Sequence, residues 1–329
     1  MSRILRAQHD SFPLSTPFRI SRGVKTQAEV VTVALEQGGE TGRGEGVPYA
    51  RYSESIETAL AAIQGVRDAI ENGADRAQLL GLLPPGAARN AVDCALWDLE
   101  ARLSGCSVAK AIGAPEPERL VSALTIGIDT PVAMAVAASR VAHAPLIKVK
   151  VDATIPDAQI RAVRAAAPKA KLIVDPNESW DETLVRAMQK VLVSLKVDLL
   201  EQPVPAEADE WLEGFTPEVP ICADESVHVA EDLEVIARRY QVVNVKLDKS
   251  GGLTEALALA QAARARGLGL MTGCMISSSL SIAPALHVAR MSDFVDLDGP
   301  IWLREDYPGG VRDEAGWLSP PQTGFWGSI

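Results

Sequence analysis

Between residues 121 and 296 the chain repeats one pattern eight times: a short apolar run that ends in a polar or charged residue. The runs cover 121–125, 146–151, 171–175, 197–201, 221–224, 242–246, 269–272 and 294–296, and their ends fall at a near-constant interval. Short apolar runs bounded in this way read as buried strands. The segments between them are rich in Ala and Leu and read as helices, for example over 181–196, 229–239 and 254–266. The last of these has Thr254 as its expected N-cap and Gly267 as its stop. Strand and helix alternating at this spacing predict parallel strands with crossover helices, and eight such units close into a barrel. An open doubly wound sheet would more often carry a glycine-rich phosphate loop after its first strand. Neither G-x-G-x-x-G nor a P-loop occurs here.

The first part of the chain follows a different rhythm. Residues 12–20 and 29–36 alternate as a pair of strands would, joined by a polar loop over 21–26, and helical patterns follow over 53–72 and 87–103. A chain of 329 residues exceeds what one core usually holds. We therefore expect a first domain over 1–115, a barrel over 116–306, and a tail over 307–329 that packs back on the first domain. A net charge of −11 with no basic run excludes nucleic acid and anionic membrane surfaces as partners. No apolar stretch reaches spanning length and residues 1–6 lack a signal-peptide core, so the cytoplasm is the expected compartment. The four cysteines form no C-x-x-C, as a reducing compartment would have it, and the four histidines show no metal-ligand spacing. Cys222, inside a run, reads as core packing.

Chemistry enters with the strand ends. In 146–151 the side chains of Lys148 and Lys150 point to one face and those of Ile147, Val149 and Val151 to the other. An isolated K-x-K is most simply a solvated stripe. In a barrel, however, the C-terminal strand ends carry the active site, and Lys150, Asp175, Glu201, Asp224, Lys246 and Asp296 all sit there. With the strands arranged on a circle, Lys150 on the second and Lys246 on the sixth are diametrically opposed. Asp175, Glu201 and Asp224 fill the arc between them, while Asp296 and Asp298 on the eighth face Glu201. Three converging carboxylates repel unless a cation lies among them, and an all-oxygen set suits Mg²⁺. A divalent cation flanked by two lysines suits abstraction of the proton next to a carboxylate through an enediolate. Bases on opposite faces permit inversion of the carbon.

Together these motifs resemble the enolase superfamily, muconate-lactonising subgroup, most closely its L-Ala-D/L-Glu dipeptide epimerases. The resemblance rests on the K-x-K at 148–150, Asp175-Pro-Asn-Glu-Ser-Trp180, Leu200-Glu-Gln-Pro203, Ala223-Asp-Glu-Ser226 and Val245-Lys-Leu-Asp-Lys-Ser-Gly-Gly252. Asp296-Leu-Asp-Gly-Pro300 and Gly273-Cys-Met275 narrow it. It implies a (β/α)7β modified TIM barrel with an N-terminal α+β capping domain. By resemblance Lys150 and Lys246 are the acid/base pair, Lys148 supports the substrate carboxylate, and Asp175, Glu201 and Asp224 bind one Mg²⁺ per subunit. Asp296 and Asp298 would receive the α-ammonium group of a dipeptide, with Thr125 and Cys274 bordering it. A substrate held over strands three to five would reach that acid pair in any case.

Capping loops 21–26 and 47–52 would then set specificity. Arg22, with Lys25 and Arg51, is a candidate for the distal carboxylate, while Tyr49 and Tyr52 would exclude water. Pro176 departs from the small residue common in relatives, and Lys249, a second candidate for the sixth-strand base, lies beyond the strand end and is expected to serve the loop. The implied role is murein peptide recycling, with a small dipeptide as partner and a homo-oligomer left open. The alternatives are o-succinylbenzoate synthase, muconate cycloisomerase or another lyase of the scaffold, and a non-catalytic binding barrel.

Overall fold

The computed structural model describes residues 3–20 and 23–328. It opens with a three-stranded antiparallel sheet in the order β1 (Ile4–Ile20), β2 (Gly23–Gln37), β3 (Glu40–Gly46). Helices α1 (Ile56–Gly65), α2 (Arg67–Glu71), α3 (Arg76–Leu82) and α4 (Ala87–Ser104) follow, then the short α5 (Val108–Ala111). Leu5, Val31, Val33 and Leu35 of the sheet close over Ile63, Ile70, Leu79 and Leu96 of the helices in one core.

Here the hydrophobic pattern misleads in several places. β1 begins at Ile4 and β2 at Gly23, so most of the expected 21–26 loop belongs to a strand. β3 has no apolar face to announce it. Its Gly42, Gly44 and Gly46 lie so close to α4 that a Cβ on each would stand 2.3, 2.1 and 2.1 Å from the carbonyls of Ala95, Ala91 and Ala87. The helix expected over 53–72 is two helices, broken at Val66 (φ −105°, ψ 2°). α3 is an addition, capped by Asp75, whose side chain accepts from the Gln78 amide.

The second part agrees with the pattern closely. After the short β4 (Leu120–Val121) come β5 (Leu124–Ile126), β6 (Leu146–Lys150), β7 (Lys171–Asp175), β8 (Leu199–Glu201), β9 (Ile221–Ala223), β10 (Val242–Val245), β11 (Gly269–Gly273) and β12 (Phe294–Asp296). Strands β5 to β12 form one eight-stranded sheet in chain order, with parallel pairing. Ala123 N donates to Val295 O at 2.8 Å and closes the seam between its two edges. Outside it run α6 (Pro131–Arg140), α7 (Pro156–Ala166), α8 (Glu182–Ser194), α9 (Leu233–Arg239), α10 (Leu247–Ser250), α11 (Leu253–Ala265) and α12 (Ser279–Ala289). The fold is thus the expected (β/α)7β barrel with its capping domain, although the β8–β9 crossover holds only the 3₁₀ turns Ala206–Ala208 and Glu210–Leu212. Pro203 and Pro205, which lack an amide proton, open that crossover. The tail pairs β13 (Arg312–Asp313) with β14 (Trp317–Ser319), and β14 with β4. Beyond them Trp326 Nε1 donates to Arg43 O at 2.9 Å, and Gly327 N to Asp98 Oδ1 at 2.8 Å.

Thr254 is not the N-cap of α11, which starts from Gly252. Its amide and hydroxyl bond Asp93 of α4 at 3.0 and 2.6 Å, and its oxygen accepts from Trp97 Nε1 at 3.0 Å. The side chain serves the contact between domains.

Period two along each barrel strand creates the site. Leu146, Ile173, Leu199, Cys222, Val242 and Met271 form one apolar cluster that fills the barrel. Two residues further along the same strands come Lys148, Asp175, Glu201, Asp224, Asn244 and Gly273, with side chains on the same inner face. The outward residues Ile147, Val149, Leu172, Val174 and Leu200 pack under the helices. An apolar floor thus carries a charged mouth.

Candidate active site

Lys148 and Lys150 are 2% and 7% exposed and Lys246 is 7% exposed, which excludes the solvated stripe. Lys148 Nζ lies 2.7 Å from Glu201 Oε2, 2.8 Å from Asp296 Oδ2 and 3.0 Å from Asp175 Oδ2. Lys150 donates to Asp175 from the second barrel strand, and Lys246, just past the sixth, donates to Asp224 Oδ2 at 2.7 Å. In an eight-stranded closed sheet these two positions are on opposite walls. Behind Asp224 sits Lys249, 2.7 Å from Asp224 Oδ1 and donating to Asn244 O at 3.0 Å. It is a buried member of the site, where a loop role was expected.

Charge balance explains how these groups titrate. Burial would raise the Asp175 carboxyl, but Lys150 and Lys148 outweigh it and hold the group at about 2. Burial opposes ionisation of Asp224 too, and Lys246 and Lys249 carry it well below the carboxylate range. Glu201 goes the other way. Burial, with Asp175 and Asp224 nearby, pushes it up to about 8 in spite of Lys148. Lys148 itself is held well above the usual lysine range: burial opposes this, and Asp296, Glu201 and Asp175 win.

The residues fit a hard divalent cation by charge and by donor chemistry. Six buried carboxyl groups (Asp175, Glu201, Asp224, Glu225, Asp296, Asp298) meet four buried ammonium groups (Lys148, Lys150, Lys246, Lys249), an acidic excess that the raised Glu201 carboxyl offsets by holding its proton and that a cation would let ionise. Among the described residues, Glu201 Oε2 and Asp224 Oδ1 accept no hydrogen bond of ordinary geometry; each lies 2.7 Å from an ammonium group, that of Lys148 and of Lys249 respectively. Among the described residues no three acidic, His or Cys side chains are gathered around a space that would hold an ion as they stand. Lys148, bridging Asp175 and Glu201, supplies there the positive charge that an ion would bring.

A cavity opens between the mouth and the capping domain. Lys148, Lys150, Asp224 and Lys246 line it, as do Thr125, Cys274, Asp296 and Asp298, so the residues expected to border a substrate share one space with the lysines. Asp175 and Glu201 are not in its lining, being covered by Lys148 and Lys150. Asp298 Oδ2 accepts from Thr125 N at 2.9 Å, and burial with Asp296 alongside raises its carboxyl to about 6. Among the described residues, Asp296 Oδ1 accepts no hydrogen bond.

The capping domain contributes Phe18, Lys25, Tyr49 and Tyr52 to the cavity, with Lys25 Nζ 5.1 Å from the centre of the Tyr49 ring. Arg51 does not reach it. Its guanidinium forks onto Glu178 at 2.9 Å twice and takes Glu207 at 2.6 Å, and so fastens the 47–52 loop to the barrel rim. Arg22 lies outside the described residues. Sequence reasoning passed over Asn177 and Asn244, whose signal is position: Asn177 sits two residues after Asp175 and Asn244 two before Lys246. Asn177 lines the cavity, and Asn244 Nδ2 donates to Glu201 Oε1 at 2.9 Å.

Comparison with known proteins agrees with this geometry. Residues 132–325 match the model described as enolase C-terminal domain-like, and residues 3–113 match the N-terminal domain of mandelate racemase and muconate lactonizing enzyme. The L-Ala-D/L-Glu epimerase of Escherichia coli K12 is 47% identical over 96% of this chain and 99% of its own. A crystal structure from Agrobacterium tumefaciens superposes with a TM-score of 0.96 at 45% identity, covering 98% of this chain and 99% of that one. It is an enolase family member with homology to dipeptide epimerases, with bound sodium and L-Ala-L-Glu. A dipeptide epimerase from Methylococcus capsulatus, complexed with Mg and L-Arg-D-Lys, superposes at 0.89 with 30% identity, covering 98% of each chain. The chain belongs to the enolase superfamily, in the branch of mandelate racemase and muconate lactonizing enzyme.

Proposed function

We propose that this enzyme is a Mg²⁺-dependent epimerase of L-Ala-D/L-Glu and related dipeptides. The observation that carries the reading is the confrontation of Lys150 and Lys246 across a cavity that also contains Asp296 and Asp298. On this reading one lysine removes the α-proton of the C-terminal residue from one face. The other delivers a proton to the opposite face, so that the α-carbon leaves inverted. Lys148 steadies the substrate carboxylate from the floor of the cavity, and Thr125 and Cys274 border the peptide. Asp296 and Asp298 receive its α-ammonium group by charge-assisted hydrogen bonds, and Arg22 is assigned to the distal carboxylate.

Asp175, Glu201 and Asp224 would hold the Mg²⁺, one ion per subunit. When bound, it supplies the charge that grips the substrate carboxylate and stabilises the negative charge built up there as the proton leaves. Asp224 at present keeps Lys246 firmly an ammonium, against the opposition of burial. Shared with a cation, Asp224 would do so less, which is what a lysine base requires. The cellular role assigned by family analogy is murein peptide recycling in the cytoplasm.

The test is proton exchange. L-Ala-L-Glu incubated with the enzyme and Mg²⁺ in D₂O should gain deuterium at the glutamyl α-carbon and yield L-Ala-D-Glu, both visible by NMR. Absence of label would remove the proposal. Asp296→Gly should abolish dipeptide turnover; an unaffected rate would favour a lyase such as o-succinylbenzoate synthase or muconate cycloisomerase, which needs no ammonium receptor.

A further inference from the structure

The turn that carries Lys246 is gripped from the capping domain. Lys246 is the N-cap of α10, and the turn ends at Gly251 in the left-handed region (φ 75°). Asp248, two residues after Lys246, is 4% exposed and points away from the cavity toward the other domain. Its Oδ1 accepts from Val47 N and from Asn90 Nδ2, both at 2.8 Å. From the neighbouring turn of α4, Arg89 donates to Ser250 O at 2.6 Å and to Gly251 O at 3.1 Å. The approach is so close that a Cβ on Gly251 would stand 2.4 Å from Arg89 Nε.

The partners of Asp248 are informative. Val47 begins the 47–52 loop that brings Tyr49 and Tyr52 to the cavity. Asn90 is fully buried and also donates to Glu45 O at 3.1 Å, so its amide spans β3 and the barrel turn. One carboxylate oxygen therefore joins the start of the loop, the capping helix and the segment bearing Lys246. On the opposite wall Lys150 stands at the end of a hydrogen-bonded strand, its register with β7 fixed from Leu146 to Lys150. On the side of Lys150 the capping domain reaches only the rim beyond it, where Arg51 holds Glu178, whereas it bonds directly to the turn that bears Lys246.

We propose that Asp248 is a positioning residue that sets Lys246, and not Lys150, through its hydrogen bonds to the capping domain. This rests on the two-lysine reading above. The consequence is an asymmetry between the two faces of the reaction. Displacing a base by about 1 Å can cost roughly 100-fold. Loss of Asp248 would therefore impair the epimer whose proton Lys246 takes and spare the one whose proton Lys150 takes.

The experiment measures initial α-deuterium incorporation separately from L-Ala-L-Glu and L-Ala-D-Glu, with Mg²⁺ in D₂O, for the wild-type enzyme, Asp248→Ala and Asp248→Asn. In Asp248→Ala, exchange from one epimer should fall by about 100-fold while exchange from the other stays within about threefold, the misplacement being confined to one base. Net inversion should fall from both epimers, because each needs both lysines. The surviving exchange shows that the variant is folded and binds substrate. Asp248→Asn, which keeps the accepting oxygen, should recover most of the lost rate. Equal loss from both epimers, or loss from neither, would overturn the inference while leaving the two-lysine reading intact. No exchange by the wild-type enzyme would remove that reading and this inference together.

Discussion

At the joint between capping domain and barrel, Glu45, Asp93 and Asp248 are buried among neutral donors: Ser278 for the first, Thr254 for the second, and Val47 with Asn90 for the third. A few residues away in the mouth, Asp175 and Asp224 are equally buried but touch lysines. Burial drives the joint acids up, to about 8, 6 and 6 in that order. It acts on the mouth acids too and is overruled by the ammonium groups beside them. The same low-dielectric setting thus yields two kinds of carboxyl group. Those of the joint lean toward the neutral form and act as acceptors that fasten two domains. In the mouth, Asp175 and Asp224, each beside two ammonium groups, stay ionised, whereas Glu201, with two acids beside it, is pushed up as the joint acids are. The balance of ammonium and acidic groups around each carboxyl, more than depth of burial, decides which.

The largest effect should separate the two sets by activity. On the two-lysine reading, Lys150→Met and Lys246→Met each remove a proton-transfer group and should lower epimerisation by about 10²–10⁴-fold. Glu45→Gln, in the joint, should leave kcat within a few-fold of wild type. Steady-state kinetics on L-Ala-L-Glu checks both, and comparable losses would erase the distinction. Metal comes next. Chelation should abolish activity, and saturating Mg²⁺ should raise thermal stability, by about 2.7 kcal/mol at a hundred times Kd. Asp224→Asn should lose this shift and Glu45→Gln should keep it, as melting curves with and without the ion would show.

A smaller effect concerns pH. Glu45 ionises near 4.5 in an unfolded chain and near 8 when buried. Between those values the folded protein binds more protons than the unfolded one, so this group makes stability fall as pH rises through the window. Glu45→Gln removes the titration and should flatten the fall. Urea denaturation at pH 5 and pH 8 measures it, and identical slopes in the two proteins would exclude Glu45 as the source.

The barrel is legible because one rule acts twice along each strand. Leu146 and Lys148, Ile173 and Asp175, Leu199 and Glu201 are each two residues apart, so apolar packing and the charge of the mouth appear on the same stripe. The opposed lysines follow from strand count alone. The capping domain hides its logic in absences. β3 offers three glycines where a strand usually offers side chains, since its stabilisation comes from α4 lying against bare backbone. Arg51 was a sound candidate by charge, yet Glu178 and Glu207 lie far from it in sequence and claim it. Lys249 looked like a loop residue because nothing local shows that the chain turns back beneath Asp224. Partners that come together only in three dimensions leave no periodic trace.

The mildest test falls on Thr254, a residue whose local signal pointed to a helix cap. Its hydroxyl donates to Asp93 Oδ1 at 2.6 Å and accepts from Trp97 Nε1 at 3.0 Å. Thr254→Val keeps the shape and removes both bonds. It leaves the Trp97 donor and one Asp93 oxygen short of a partner in a buried setting, at a cost of about 1–3 kcal/mol. The Thr254 amide still reaches Asp93 Oδ2 at 3.0 Å, so the joint should loosen without opening. Thr254→Ser retains the hydroxyl and should recover most of the stability in denaturant titrations. Because α11 begins beyond the mouth, kcat should hold in both variants. A fall in kcat with Thr254→Val would mean that the joint reaches the lysines by a second route, and the separation between fastening acids and reacting acids would have to be redrawn.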